Sequence, residues 1–417
     1  MSEARGNSLP AWQAWLVAAF ATLAMSVSYI DRQIFSVLGK SVREALHLDM
    51  QSFGWLASAF SIAYLVGAPL AGIVVDKVGA RLSLVVAMLI WSAVSASHAL
   101  VGSFQVLFAL RIALGTAESP SFPSAAQSIR RVLPPRHRAA GYGLLFTGSS
   151  IGAMIAAPLA VHIATHHGWR TAFFIGSLVG LVWLPCWLVV TGMKGVKERL
   201  ATPDLDAKET STVSRWTLLR EPALHRAIVL IVCVSPAIMF VLIFFPQFVE
   251  KTFDVPESGI AHYAWMPPLF FDLGAVVFGA IASWRDPTPT RSAVRSQPEL
   301  IAAAGFFVSM LALASLVHGP WGATIACSVA LVGGGAINSR VTSDMVARID
   351  PAHVSTAGGL CAAAQSIAYV IAAPLVGRSF DHTKSFAHAL VTVGCLVLPG
   401  ALAWILWPVQ KKESVLA

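Results

Sequence analysis

Residues Ala11–Leu38 read AWQAWLVAAFATLAMSVSYIDRQIFSVL, an apolar run that carries an acid and a base, Asp31 and Arg32, side by side. About 20 apolar residues suffice for an α-helix to cross the hydrocarbon core of a bilayer. Inside such a helix an Asp or an Arg costs roughly 2.5–3.5 kcal/mol near the centre. Ionisable residues in that setting face a bundle interior or an aqueous cavity and mark ion or substrate pathways. The alternative is a purely structural ion pair that ties the first helix to its neighbours. Choosing between the two depends on the rest of the chain.

Of the 417 residues 56% are hydrophobic and only 12% charged, half the charged share of about 25% found in soluble domains. The chain therefore reads as a polytopic membrane protein. Apolar stretches fall at approximately 12–38, 52–75, 82–101, 105–129, 139–165, 171–193, 225–250, 260–284, 299–318, 321–347, 355–377 and 385–408, twelve spans in all. Continuous apolar runs specify helices, because membrane β-barrels use short alternating strands. The longest polar interval, 194–222, divides the chain into an N-terminal six-helix bundle (1–193), a cytoplasmic linker and a C-terminal six-helix bundle (223–417). The five cysteines lie in apolar runs without CxxC spacing, so neither a disulfide framework nor a metal site is expected. No small-residue cleavage site follows a short apolar core, and no cleaved signal peptide is read.

The net charge of +8 is explained by topology. With the N-terminus inside, twenty of the 29 basic residues fall on the cytoplasmic side, six (Lys40, Arg43, Arg170, Lys251, Arg378, Lys384) on the other, and Arg32, Arg111 and Arg340 within spans. The positive-inside bias places both termini in the cytoplasm, in the cell's inner membrane, and removes nucleic acid as a partner. An internal repeat supports the two halves: IAAPL occurs at Ile155–Leu159 and at Ile371–Leu375, in the fifth span of each half. Duplication of a six-helix unit is the simplest account.

Two further motifs carry chemistry. Between spans two and three stands GIVVDKVGAR (Gly72–Arg81). Here Gly72 permits close helix approach, Asp76 caps the next helix or bonds its neighbours, Gly79 allows the tight turn, and Lys77 and Arg81 hold the loop inside. The string resembles the gating loop of the major facilitator superfamily, with Ala80 in place of one basic residue. In span four, RIALGTAESPSFP (Arg111–Pro123) puts Arg111 and Glu118 on one helix face about 10 Å apart along the axis. Pro120 and Pro123 kink the helix just below Glu118. At that separation the two charges do not neutralise each other, so each needs another partner, and Asp31 and Arg32 are the nearest suited. The four residues together fit an anion site coupled to protonatable carboxylates.

YIDRQ, RIALGTAESPSFP and GSSIGAMIAAPL (Gly148–Leu159), with PLFFDLGAVVFG (Pro268–Gly279), resemble the anion:cation symporter branch of that superfamily, and within it the hexuronate transporters. The resemblance implies an all-α membrane protein of twelve transmembrane helices in two pseudo-symmetric six-helix bundles. It further implies that Arg32 holds the substrate carboxylate, that Asp31 and Glu118 carry protons with Arg111 tuning them, and that Tyr29 and Tyr64 line the site. The chain departs from its relatives at Ser149, where galactonate transporters have a substrate-contacting Gln, and near Ala363–Ser366, where an Asn-rich stretch is missing and Gln365 is the nearest amide. These departures leave a less hydroxylated or aromatic carboxylate as an alternative cargo.

Asp272 is a third intramembrane acid, suited equally to a substrate hydroxyl, a second proton or the backbone near Pro267 and Pro268. Arg340 reads as a gate or snorkelling residue. His98, His162, His166, His167 and His262 read as solvated or interfacial residues at outer span ends, and Trp265, Phe270 and Phe271 as packing, lipid-facing or cavity-wall aromatics. The expectation is a monomeric proton-coupled symporter of a small organic anion, most of all a hexuronate or related sugar acid, working in the lipid bilayer with protons as coupling ion and no cofactor. A drug or metabolite antiporter fits less well, because Ala157-Pro158-Leu159-Ala160 lacks the glycine-rich ending such exporters carry in span five. A membrane sensor would need a signalling domain, and an enzyme a nucleophile or metal-spaced cluster; neither is read.

Overall fold

A computed structural model of the chain describes residues 9–201, 218, 220–285, 297–349 and 354–407. Most of the expected linker, both expected cytoplasmic termini, and the basic residues Arg5, Lys208, Arg215, Arg291, Arg295, Lys411 and Lys412 lie outside the described residues.

The described residues form helices and contain no strand. In order they are α1 (Ala11–Val37), α2 (Gly39–Leu46), α3 (Met50–Val78), α4 (Ala80–Ser97), α5 (Phe104–Glu118), α6 (Ser121–Val132), α7 (Pro135–His167), α8 (Trp169–Gly192) and α9 (Val196–Ala201). The second half continues with α10 (Pro222–Met239), α11 (Phe245–Phe253), α12 (Ala261–Ala264), α13 (Met266–Arg285), α14 (Pro298–Ser309), α15 (Pro320–Arg348), α16 (Val354–Thr383), α17 (Ala387–Cys395) and α18 (Val397–Leu406). Eleven helical stretches are long and apolar enough to cross a membrane. The twelfth expected span, 105–129, is the pair α5 and α6, too short singly to cross. The helix kinks at Ser119-Pro120: Pro120 has no N–H to give the Thr116 carbonyl, which accepts from Ser119 N (3.3 Å) and Ser119 Oγ (2.7 Å) instead. This is the kink expected below Glu118: Ser119 and Pro120 keep right-handed helical backbone angles, and Ser124 N donates to Pro120 O at 3.0 Å across the junction. Between Pro236 and Pro246 the seventh span also departs from the α-helix, widening to a π-helix over Phe240–Phe244.

Contacts group the chain into two compact units. Unit 1 comprises Met1–Leu48, Ala59–Lys208 and Glu257–Trp265; unit 2 comprises Asp49–Ser58, Glu209–Pro256 and Met266–Ala417. In unit 1, α1 packs on α7, α6 and α8, and α4 on α8, α5 and α6. The α1–α7 contact is close because α7 presents Gly148 and Gly152 to the backbone carbonyls of Thr22 and Ser26, leaving no room for a Cβ. Ser26 Oγ donates to Gly148 O at 2.8 Å across the same seam. Small residues and short polar bonds are how helices associate where lipid and side chains are equally apolar. In unit 2, α10 packs on α16 and α18, and α15 on α13 and α14. The two IAAPL copies fall on α7 and α16, each packed on the first span of its half, and each puts a proline inside its helix, Pro158 and Pro374.

Candidate functional site

Asp31 and Arg32 are neighbours on α1, and adjacent helical residues point about 100° apart. They accordingly reach different helices. Asp31 turns to α4, where its Oδ1 accepts from Ser95 Oγ at 2.7 Å. It is 2% exposed, and its Oδ2 has no hydrogen-bond partner among the described residues. Arg32 turns to α5, where its Nε donates to Glu118 Oε2 at 2.8 Å. The same carboxylate oxygen accepts from Ser28 Oγ at 2.6 Å, one turn before Arg32. Glu118 is fully buried, whereas the Arg32 side chain is 19% exposed.

Aromatic rings hold the two guanidinium groups. The Arg32 Cζ lies 4.5 Å from the Phe60 ring centre, 4.9 Å from Tyr29 and 5.0 Å from Tyr64. The Arg111 Cζ lies 4.3 Å from Phe35 and 5.0 Å from the same Phe60. Phe60 and Tyr64, four residues apart on α3, stack at 5.9 Å. Each such contact is worth about 0.5–2 kcal/mol according to its desolvation, so the rings stabilise positive charge that water would otherwise solvate. Arg32 Nη2 is left without a hydrogen-bond partner among the described residues. A partly exposed guanidinium held by a single internal carboxylate through Nε has the geometry to take a second, external carboxylate.

Tyr29, Asp31, Arg32, Tyr64, Arg111 and Glu118 thus come together in unit 1. Sequence reasoning misses four contributors to the cluster: Ser28, Phe35, Phe60 and Ser95. Serines are frequent in these helices and carry no distinguishing signal, but the Phe60/Tyr64 pair at i, i+4 on an apolar helix is a usable one. Ser149, also in unit 1, spends its hydroxyl on Phe146 O at 2.6 Å. Asp272 and Gln365 belong to unit 2, on α13 and α16, both half-buried; Gln365 Nε2 donates to Tyr369 Oη, one turn along the same helix, at 3.3 Å.

The loop motif is assembled with one change from expectation, at Gly72, and with one of the two roles open to Asp76 selected. Asp76 bonds a neighbour, accepting from Gln127 Nε2 at 2.8 Å, and does not cap α4, whose N-cap is Gly79 with φ 89°. Gly72 makes no close approach: a Cβ there would meet nothing within 4 Å among the described residues, because α3 here runs out to the surface, with Ile73 and Val74 both exposed. Arg81 Nε donates to Thr191 Oγ1 at 2.9 Å, and Lys77 is exposed. Two further expectations change. Arg340 is buried, which removes the snorkelling half of its reading and leaves the gate. His98 is 1% exposed rather than solvated, stacked on Phe173 at 5.5 Å with Nδ1 2.9 Å from Val94 O; the other four histidines of that group are exposed.

Comparison with known proteins bears on what this cluster serves. A galacturonate transporter of Dickeya chrysanthemi is 28% identical over 276 residues, covering 64% of this chain and 80% of that protein. A hexuronate transporter of Escherichia coli K12 is 26% identical over 419 residues, covering 96% and 95%, and one of Bacillus subtilis is 27% identical over 402 residues, covering 93% of each. Among solved structures, a bacterial homolog of the human lysosomal transporter Spinster superposes with a TM-score of 0.78 at 15% identity, over 96% of this chain and 97% of that one, which establishes the fold. The family model of the Major Facilitator Superfamily matches residues 21–373, and this multi-pass membrane protein belongs to that superfamily.

Proposed function

We propose that the chain is a proton-coupled symporter that imports an organic carboxylate, a hexuronate or related sugar acid, across the cell's inner membrane by alternating access. The observation that carries the reading is the Arg32–Glu118 pair: a partly exposed guanidinium whose counter-ion is a fully buried carboxylate. The named activities of the hexuronate and galacturonate relatives supply the cargo class.

Glu118 and a substrate carboxylate compete for Arg32. While Glu118 is ionised, it occupies Nε and satisfies the charge. A proton on Glu118 removes that partner, and the guanidinium then takes the incoming carboxylate in a bidentate, charge-assisted pair. Tyr29 and Tyr64, whose rings already lie on Arg32, offer hydroxyls to the rest of the molecule. Asp31, with one oxygen on Ser95 and one without a partner among the described residues, is a second proton acceptor. Loss of the proton inside lets Glu118 reclaim Arg32 and expel the anion. The membrane potential contributes about 2.3 kcal/mol per charge per 100 mV, so it drives import of a monoanion only when more than one proton accompanies it. The GIVVDKVGAR loop, with Asp76 on Gln127 and Arg81 on Thr191, serves as the cytoplasmic gate.

In proteoliposomes, galacturonate is expected to accumulate when an inward proton gradient is imposed, and an uncoupler to abolish that accumulation. Uptake indifferent to the uncoupler would rule out symport. The engaged hydroxyl of Ser149 favours a second reading, in which the cargo has fewer hydroxyls; a monocarboxylate such as lactate or benzoate outcompeting galacturonate would select it.

A further inference from the structure

Glu118, Ser121, Ser124 and Gln127 succeed one another at three-residue intervals, from the last residue of α5 along α6. All four are buried. Each has a polar side-chain atom without a hydrogen-bond partner among the described residues: Glu118 Oε1, Ser121 Oγ, Ser124 Oγ and Gln127 Oε1. Buried polar atoms in folded proteins are satisfied by protein or by ordered water in roughly 90% of cases or more, so four in sequence call for a common cause. Serines inside helices commonly bond back to the carbonyl four residues earlier. Ser128 does so, to Ser124 O at 2.8 Å, and so do Thr22 and Ser235. Ser121 and Ser124 do not, and they stand just past the kink at Pro120.

The row has two distinct ends. At one is Glu118, on Arg32 and Ser28. At the other, Gln127 Nε2 donates to Asp76, an exposed carboxylate in the last turn of α3. Three residues advance about 4.5 Å along a helix, a gap that one water bridges with two hydrogen bonds of about 2.8 Å. The helices packed on α6 are α1, α4, α7 and α9. Their charged residues and histidines are Asp31 and Arg32 on α1, Arg81 on α4, Arg136, His137, Arg138, His162, His166 and His167 on α7, and Lys197, Glu198 and Arg199 on α9.

We propose that this row carries a file of water from Glu118 to Asp76 and is the route by which the Glu118 proton leaves on the cytoplasmic side. The proton passes from the Glu118 carboxyl to the first water and hops past Ser121, Ser124 and Gln127. It emerges at Asp76 and then in solvent, while the carboxylate left behind re-pairs with Arg32 Nε. Substrate exchange needs no net proton release and does not use the path. Such a route presupposes the proton coupling proposed above for Glu118.

The test uses the full chain in proteoliposomes with galacturonate, in two assays: counterflow at equal pH on both sides, and accumulation under an inward proton gradient. Ser124→Val removes the hydroxyl and fills the space; it is expected to keep counterflow and lose accumulation, and Ser124→Thr, which restores a hydroxyl, to regain it. A Ser124→Val protein that accumulates as wild type does overturns the path. If Ser124→Val also lost counterflow, Ser121→Ala would be judged by the same two assays and the same criterion. Wild-type protein that exchanges but never accumulates would instead sink proton coupling itself, and the path with it.

Discussion

Each unit buries charge, and each does it differently. In unit 2, Asp344 on α15 uses both oxygens: one accepts from Arg226 Nη2 on α10, the other from Arg348 Nε at 2.8 Å. Arg226 also stacks on Trp404, 4.1 Å from its ring centre, and both Asp344 and Arg226 are almost fully buried. In unit 1, two carboxylates serve the cluster, and each has one oxygen without a partner among the described residues, Asp31 Oδ2 and Glu118 Oε1. A carboxylate held from both sides suits a permanent tie between helices. One held from a single side keeps an oxygen open to a further partner, as the coupling role proposed above requires. The same residue types therefore serve structure in one unit and, in the mechanism proposed here, transport in the other.

Asp344 is where this contrast is most exposed to test. Asp344→Asn removes the counter-charge that Arg226 and Arg348 share, and taking one partner from a buried ion cluster costs about 3–5 kcal/mol. Asp31→Asn gives up little beyond the bond from Ser95, about 1 kcal/mol. Thermal unfolding of the detergent-solubilised protein is expected to fall sharply for the first and slightly for the second; equal losses would erase the distinction between the units. Phe60→Leu probes the same contrast from the aromatic side. It removes a ring shared by Arg32 and Arg111 and is expected to weaken carboxylate binding by about 1–2 kcal/mol, read by titration calorimetry, with little change in unfolding temperature. The smallest effect is expected at Gly72. With nothing described near its missing Cβ, Gly72→Ala gains about 0.5–1 kcal/mol of helix stability and raises the unfolding temperature slightly. A large loss there would restore Gly72 as a packing position.

Much of unit 1's cluster is legible in the sequence because charge in an apolar run is expensive and therefore conspicuous. Asp31, Arg32, Arg111 and Glu118 stand out for that reason alone, and the seven-residue spacing of Arg111 and Glu118 correctly demands partners from another helix. Which partner goes to which charge is not legible. It depends on the rotation of α1 against α4 and α5, and that rotation is set by contacts such as Gly152 on Ser26 that lie far apart in the chain. The kink at Ser119-Pro120 is legible as well, since a proline has no N–H to give the carbonyl one turn back. Arg226 escapes sequence reasoning for a different reason: at the polar edge of a span it reads as one more cytoplasmic charge. Asp344 and Arg348, at i, i+4 on α15, are the available hint of a buried ion cluster. His98 escapes likewise, because a histidine at a span end says nothing of the Phe173 ring that covers it.

Competition between Glu118 and the substrate for Arg32 is the centre of the proposed mechanism. Equilibrium binding of galacturonate to purified wild-type and Glu118→Gln protein, measured across a range of pH, decides whether it occurs. Wild-type binding is expected to weaken as pH rises, while Glu118→Gln binds at least as tightly as wild type at its best and stays nearly level with pH. A Glu118→Gln protein that binds more weakly at every pH, or keeps the wild-type pH dependence, would refute the competition.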